Sequence, residues 1–149
     1  MRTAVDTNVF SALLSGDPDS APEARIALGE AAGKGTLLAA PPVYAELVAG
    51  RDSEVVDNLF SDKGIVVHWN LGADVWRTAG VRYGAYARDR RRQRGDVGPR
   101  RILADFLIGA HALHLSHALL TSDTRIYGTY FADLEIISPQ NSSQNSGGT

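Results

Sequence analysis

The stretch that most constrains the fold runs from Arg2 to Leu14, where a short apolar segment leads into an acid and then a helix. Thr3–Val5 is short and rich in β-branched residues, which is typical of a strand buried on both faces of a parallel sheet. Asp6 follows with helix-start chemistry, and the apolar residues of Val9–Leu14 recur at helical spacing. Because ligands of an open α/β sheet bind beyond the carboxyl ends of its strands, Asp6 lies where a functional residue is expected. A carboxylate there is desolvated, and neighbouring acids add repulsion, unless a cation compensates.

Short apolar segments alternate with helical patterns along the rest of the chain. The predicted strands are Thr3–Val5, Leu37–Ala40, Ile65–Trp69, Ala118–Thr121 and Leu134–Ile137. Helical patterns separate them, the longest beginning near Gly72 and the most apolar running from Ile102 to Leu115. This alternation predicts an α/β fold with a short, mostly parallel sheet covered on both faces, which is a three-layer α/β/α sandwich.

The composition indicates one ordinary globular domain, which we predict to span residues 1–138. Cysteine is absent, which excludes disulfides, thiolate metal sites and thiol nucleophiles. Neither a signal peptide nor a membrane-spanning stretch is recognisable, so we expect a cytoplasmic protein. Residues 139–149 are rich in Ser, Asn, Gln and Gly, and this composition predicts a disordered tail.

Four acids stand in unusually apolar surroundings. Asp6 and Asp123 follow the ends of predicted strands, whereas Glu46 and Asp105 interrupt apolar helical segments. Each has an ordinary alternative, because the first two would serve as helix caps or turns and Glu46 as a solvated helix residue. Asp105 is the hardest to explain in that way. Since buried acids are rare without a cation, the four together favour a metal site.

Four short motifs, in order, resemble those of the PIN-domain nucleases and especially the small VapC-type toxins. They are DTNVF at residues 6–10, AEL at 45–47, ADFLIGAHA at 104–112 and TSDTRIYGTYF at 121–131. The resemblance extends from Arg2 to about Ser138. The arginine-rich segment before Asp105 and the polar tail are not explained by it.

The resemblance implies a PIN-like nuclease domain and assigns roles to seven residues. The family's metal-binding acids correspond to Asp6, Glu46, Asp105 and Asp123, and its polar orienting positions to Thr7, Asn8 and Thr121. It also implies an RNA substrate, a cognate antitoxin protein as partner, and a homodimer.

An all-carboxylate donor set suits Mg²⁺ or Mn²⁺ independently of the family. The leading hypothesis is therefore an endoribonuclease that hydrolyses RNA phosphodiester bonds with metal-activated water, as the toxin of a toxin–antitoxin pair. The alternatives are a PIN nuclease of RNA processing and a non-catalytic PIN-like module that binds RNA or protein. A phosphatase with an aspartyl nucleophile would commonly carry a second acid two residues after the first, where this chain has Asn8.

The basic residues are concentrated in one segment. Of 15 basic residues 13 are arginines, and seven of these lie between residues 88 and 101: Arg88, Arg90, Arg91, Arg92, Arg94, Arg100 and Arg101. A solvated helix end is the usual meaning of such a run. Beside a nuclease site we expect contact with RNA phosphates or with an antitoxin, because arginine pairs bidentately with phosphate.

Two further groups of residues have less specific interpretations. His111, His114 and His117 suggest zinc, but their spacing spreads them around a helix, and packing or surface roles are more common. The spacing of Trp69, Trp76, Tyr83 and Tyr86 favours core or dimer packing over base stacking.

Overall fold

A computed structural model describes residues 1–93 and 100–140. The elements, in chain order, are β1 (Arg2–Val5), α1 (Thr7–Ser15), α2 (Ser20–Lys34), β2 (Thr36–Ala39), α3 (Pro41–Ala49), α4 (Ser53–Lys63), β3 (Val66–Val67), α5 (Gly72–Arg92), α6 (Leu103–Leu115), β4 (Ala118–Leu120), α7 (Thr124–Tyr130) and β5 (Glu135–Ile137). The strands form one sheet in the order β3-β2-β1-β4-β5, with every neighbouring pair parallel. The predicted three-layer α/β/α sandwich is confirmed.

The strand order reverses between β1 and β4. The chain builds β1, β2 and β3 outward in one direction, and α5 and α6 then carry it back to place β4 on the other side of β1. Val5 pairs with Leu120, and the backbone N–H of Asp6 donates to Leu120 O at 2.9 Å. The residues that follow β1 and β4 therefore emerge side by side at the carboxyl edge, which is the usual ligand position of an open α/β sheet.

The core lies between the sheet and its helices and is built from short aliphatic strands and aromatic helix residues. Gly109 in α6 allows close packing, because a Cβ atom there would lie 2.6 Å from the ring of Phe131. That ring is fully buried. A glycine at this position thus lets α6 approach the segment after α7.

Two elements differ from the sequence prediction. β3 is only Val66–Val67, shorter than the predicted Ile65–Trp69, because it pairs with β2 alone at the sheet edge and Trp69 is 65% exposed. α7 was not predicted, since its seven residues include Gly128 and β-branched side chains that are weak helix formers. Trp76 is also exposed, so of the two predicted roles, core or dimer packing, only dimer packing stays a prediction for the tryptophans.

Two other predictions concern the ends of the described chain and its helices. Residues 141–149, most of the predicted disordered tail, lie outside the described residues. Among the helices of residues 1–93 and 100–140, none has the length and apolar character needed to cross a membrane.

Candidate active site

Asp6 is the centre of a hydrogen-bonded cluster at the switch between β1 and β4. It is 5% exposed and forms the N-cap of α1, where its Oδ1 accepts from the Thr7 N–H at 2.7 Å. Its Oδ2 accepts from Thr121 Oγ1 at 2.8 Å and from Asn8 Nδ2 at 3.2 Å. The three polar residues that the resemblance assigned around the acids therefore all contact this carboxylate.

The cluster also fixes the loop that follows β4. Asn8 Oδ1 accepts from the Ser122 N–H at 3.1 Å, and Thr121 Oγ1 accepts from the Asp123 N–H at 2.9 Å. Asn8 is thus engaged through both ends of its amide. As an amide it supplies no acid at the position that an aspartyl phosphatase would use.

The electrostatics of Asp6 are unfavourable for its ionised form. Burial raises the pKa of Asp6 to about 6, and the hydrogen bonds from Thr121 and Thr7 only partly oppose this effect. The negative charges of Asp105 and Asp123 raise the same pKa further. Both acids are therefore within electrostatic range of Asp6, although they come from α6 and from the loop after β4.

Asp105 lies in the first turn of α6 and is half-buried. Its Oδ2 accepts from the Ile102 N–H at 3.2 Å, so it stabilises the helix start. Burial raises the pKa of Asp105, and the charge of Asp123 adds to this effect. Both the ordinary capping role and the predicted site role are thus compatible with its position.

Asp123 is paired with an arginine from the basic segment. The guanidinium of Arg101 contacts both carboxylate oxygens, with Nη2 3.0 Å from Oδ1 and a closer contact from Nη1 to Oδ2. The Asp123 side chain does not cap α7. Arg101 therefore places a positive charge against one of the four candidate metal ligands.

Glu46 differs from the other three acids because it is exposed on α3. Its Oε1 accepts from Thr7 Oγ1 at 2.9 Å, which ties it to the residue after Asp6. The exposure of Glu46 agrees with its interpretation as a solvated helix residue, whereas Val43 and Leu47 of the same helix are buried.

Tyr127 in α7 is a site residue that the sequence did not reveal. Its ring is fully buried, and its hydroxyl donates to the backbone oxygen of Asp105 at 3.0 Å. Burial raises the pKa of the Tyr127 hydroxyl well above its usual range, and the charges of all four candidate acids act in the same direction. All four acids are hence within electrostatic range of this hydroxyl, which holds α7 against the start of α6.

The carboxylates are nevertheless turned toward protein partners. Within residues 1–93 and 100–140, no three Asp, Glu or His side chains converge tightly enough to hold one ion. Asp123 is engaged by Arg101, and Glu46 is engaged by Thr7.

Comparison with known proteins identifies the family. The PIN-domain family model matches residues 3–132. The chain belongs to the PIN-domain family. The family is one of nucleases, so the acid cluster at the sheet edge lies in a nuclease-type domain. A search of curated proteins gives no significant match.

Several solved structures share the fold of this PIN domain. VapBC2 from Rickettsia felis bound to a promoter DNA fragment is 20% identical with a TM-score of 0.65, covering 93% of this chain and 98% of that one. VapBC-1 from nontypeable Haemophilus influenzae is 20% identical with a TM-score of 0.66, and the match covers 94% of this chain and 99% of that one. A toxin–antitoxin complex from Klebsiella pneumoniae is 19% identical with a TM-score of 0.62, and the match covers 92% of this chain and 97% of that one.

The seven arginines of the predicted binding segment are placed differently in the PIN domain. Arg88, Arg90, Arg91 and Arg92 lie on the last turns of α5, Arg100 and Arg101 precede α6, and Arg94 falls outside the described residues. The guanidinium of Arg101 contacts Asp123, a candidate metal ligand. The end of the segment at Arg101 therefore lies beside the acids.

The three histidines considered for zinc have different partners. His114 Nε2 is 2.7 Å from Thr78 Oγ1, and His117 Nδ1 accepts from the Arg2 N–H at 2.9 Å. His111 is fully buried, with Nε2 2.9 Å from His68 Nδ1. Burial lowers the pKa of His111 to about 4, and the charge of His68 contributes to the same shift.

Proposed function

We propose that this PIN domain is a Mg²⁺- or Mn²⁺-dependent endoribonuclease and the toxin of a toxin–antitoxin pair. The observation that carries the proposal is the burial of Asp6 within range of Asp105 and Asp123, at the switch point of a PIN fold. Buried acids that repel one another store unfavourable energy unless a cation neutralises them.

The donor set fits a hard divalent cation. Asp6, Glu46, Asp105 and Asp123 offer carboxylate oxygens, which Mg²⁺ and Mn²⁺ prefer. For the four acids to bind one cation together, Asp123 would release Arg101, and Glu46 would release Thr7. When bound, the cation supplies charge neutralisation, a lowered pKa of water and polarisation of the phosphodiester.

The polar residues around the acids position them for this role. Thr121 and Asn8 hold Oδ2 of Asp6, and the Thr7 N–H holds Oδ1, so the carboxylate plane is fixed from both sides. A fixed carboxylate loses less conformational entropy when it binds an ion, and it aims its remaining lone pairs in a defined direction.

Cleavage of structured RNA with and without chelator tests the activity. We expect cleavage with Mg²⁺ or Mn²⁺ and none in excess EDTA, with activity restored when metal is added back. Cleavage that continues undiminished in EDTA would refute the metal mechanism.

The non-catalytic alternative has one observation in its favour, because Arg101 already neutralises Asp123. A module of that kind would bind RNA without cleaving it in any divalent metal. The same assay therefore separates the two functions.

Toxin status is supported by the fold shared with toxin–antitoxin complexes from several bacteria. We expect expression of the chain in bacterial cytoplasm to arrest growth and co-expression of a cognate antitoxin to restore growth. Growth arrest by the Asp105→Asn variant as well would dissociate toxicity from cleavage.

The proposed homodimer has an apolar surface available. Trp69 and Trp76 are 65% and 54% exposed and border one groove with Pro41, Leu71 and Leu107. Replacing both tryptophans with serine should convert a dimer to a monomer in sedimentation velocity. A wild-type monomer at micromolar concentration with full activity would count against the dimer.

A further inference from the structure

A second groove, of about 330 Å³, lies beside the C-terminal half of α5. Its lining consists of two tyrosines, three arginines and one small residue: Tyr83, Tyr86, Ala87, Arg90, Arg91 and Arg100. Aromatic faces and guanidinium groups are the side chains that bind nucleobases and phosphates.

The aromatic part of the groove is held rigidly. The rings of Tyr83 and Tyr86 are stacked with centroids 6.2 Å apart, and both pack against Phe106 of α6. Tyr86 is 8% exposed and its hydroxyl accepts from the Arg101 N–H at 2.7 Å. Tyr83 is only half-buried, so it is the aromatic side chain available to a ligand.

Arg101 connects this groove to the acid cluster. Its backbone N–H contacts Tyr86 in the groove, while its guanidinium contacts Asp123. A strand of nucleic acid whose phosphate lies at the acids would therefore reach the groove with a neighbouring nucleotide.

The basic residues of α5 divide into two sets. Arg90 and Arg91 line the groove together with Arg100, whereas Arg88 and Arg92 lie on the same helix, are exposed and do not line it. Charge alone therefore does not define the groove, and the difference between the two sets can be tested.

We propose that this groove binds one nucleotide of single-stranded RNA beside the cleaved phosphodiester, with Arg91 and Arg100 on its phosphate and Tyr83 against its base. The identity of the ligand as RNA rests on the proposed function. A single strand is required because a base within a duplex has no free face for the tyrosine ring. An acidic peptide would also pair with the arginines, but it would gain no stacking from Tyr83.

Salt-dependent binding tests the phosphate contacts. The probe is a fluorescein-labelled ten-nucleotide single-stranded RNA, measured by anisotropy in EDTA from low to high salt. Removing both arginine contacts to this one phosphate in Arg91→Gln/Arg100→Gln should reduce the slope of log K against log salt by about 0.7, the contribution of one neutralised phosphate on a single strand. The matched control Arg88→Gln/Arg92→Gln should keep the wild-type slope.

A second pair of variants tests the base contact. Tyr83→Leu should weaken RNA binding at least about fivefold and abolish the quenching of a 2-aminopurine base, whereas Tyr83→Phe should retain both, because stacking requires the ring and not the hydroxyl. Melting temperatures establish that each variant is folded.

Three results would overturn the inference. Equal changes of the salt slope in the two arginine double variants would show that these arginines act only as diffuse positive charge. Full quenching of 2-aminopurine by Tyr83→Leu would show that Tyr83 makes no contact with the base. Normal RNA binding by Arg91→Gln/Arg100→Gln with weakened binding of poly-glutamate would assign the groove to a protein partner instead.

Binding in EDTA is independent of cleavage, so the two proposals fail separately. A wild-type protein that cleaves RNA with Mn²⁺, and whose groove variants bind RNA normally, refutes the groove alone. A wild-type protein that never cleaves, and whose groove variants lose binding as described, supports the groove and refutes the nuclease.

Discussion

Replacing Asp6 with asparagine should change how the stability of the metal-free protein depends on pH. The pKa of Asp6 is raised from 3.8 to about 6, so the folded protein retains a proton that the unfolded chain has released. The resulting stability is fully present below pH 3.8 and is lost as the pH rises through about 6. The variant carries no such group and should lack this dependence.

The magnitude follows from the two pKa values. The whole window corresponds to about 3 kcal/mol of unfolding free energy, at 1.36 kcal/mol for each pH unit. Between pH 4.5 and 7.5 the difference between variant and wild type should change by about 2 kcal/mol, in favour of the variant at the higher pH.

Hydrogen bonding adds a constant offset to that difference. Asparagine can still accept from the Thr7 N–H, but its amide group would face the donors Thr121 and Asn8 that now contact Oδ2. A mismatch of this kind costs about 1–3 kcal/mol. Because the offset does not depend on pH, the slope and not the absolute stability is diagnostic.

The assay is urea unfolding in EDTA at four pH values from 4.5 to 7.5. His111 affects the wild-type curve in the opposite direction, since its pKa is lowered from 6.5 to about 4 and stability is lost as the pH falls through that window. This contribution is common to both proteins and cancels in the difference. In the control Asp17→Asn, hydrogen bonds from the Ser20 and Asp19 N–H groups lower the pKa of the replaced carboxyl below 3.8, so its titration lies under the assay range and the difference should stay flat. A difference for Asp6→Asn that stays flat within about 0.5 kcal/mol would refute the stored repulsion at Asp6.

Three other substitutions test the site and its packing. Asp105→Asn removes a charge but keeps an acceptor for the helix start, so the metal-free melting temperature should rise or stay level while RNA cleavage falls on the order of 10²-fold or more; a destabilised, active variant would contradict the site role. Arg101→Gln frees Asp123 and should tighten Mn²⁺ binding in calorimetry while lowering metal-free stability, and an unchanged Mn²⁺ affinity would show that Arg101 does not compete. Gly109→Ala should lower stability to urea by about 1–3 kcal/mol, since the added carbon meets the Phe131 ring at 2.6 Å; wild-type stability would mean that the ring moves aside.

The fold was predictable because its signals are local. Each strand of a doubly covered sheet is a short apolar run, and Asp6 and Asp123 follow such runs directly in the sequence. The carboxyl edge of a parallel sheet then gathers whatever follows those strands. Proximity of Asp6 to Thr121 was thus implied by topology, with help from the motif resemblance.

Contacts that exist only in the folded domain explain the site features that the sequence did not reveal. Arg101 is one of seven arginines with similar neighbours, and only the packing of Tyr86 against the start of α6 directs it to Asp123. Tyr127 lies in a short helix of weak formers, so neither its burial nor its contact with Asp105 leaves a periodic pattern. Glu46 is exposed because of its position within one turn of α3. The apolar residues on either side of it in the sequence give no sign of this exposure.

The central position of β1 has a consequence for biosynthesis. Thr121, which holds the carboxylate of Asp6, follows it in the chain by 115 residues. β1 can pair with β2 early, but its other edge waits for β4, and contacts of such long sequence separation form late in folding. A nascent chain that ends before β4 lacks Asp123, Thr121 and the strand that places them beside Asp6. Nearly the whole domain must therefore leave the ribosome before the acids assemble, so a partly synthesised chain would lack the proposed nuclease site.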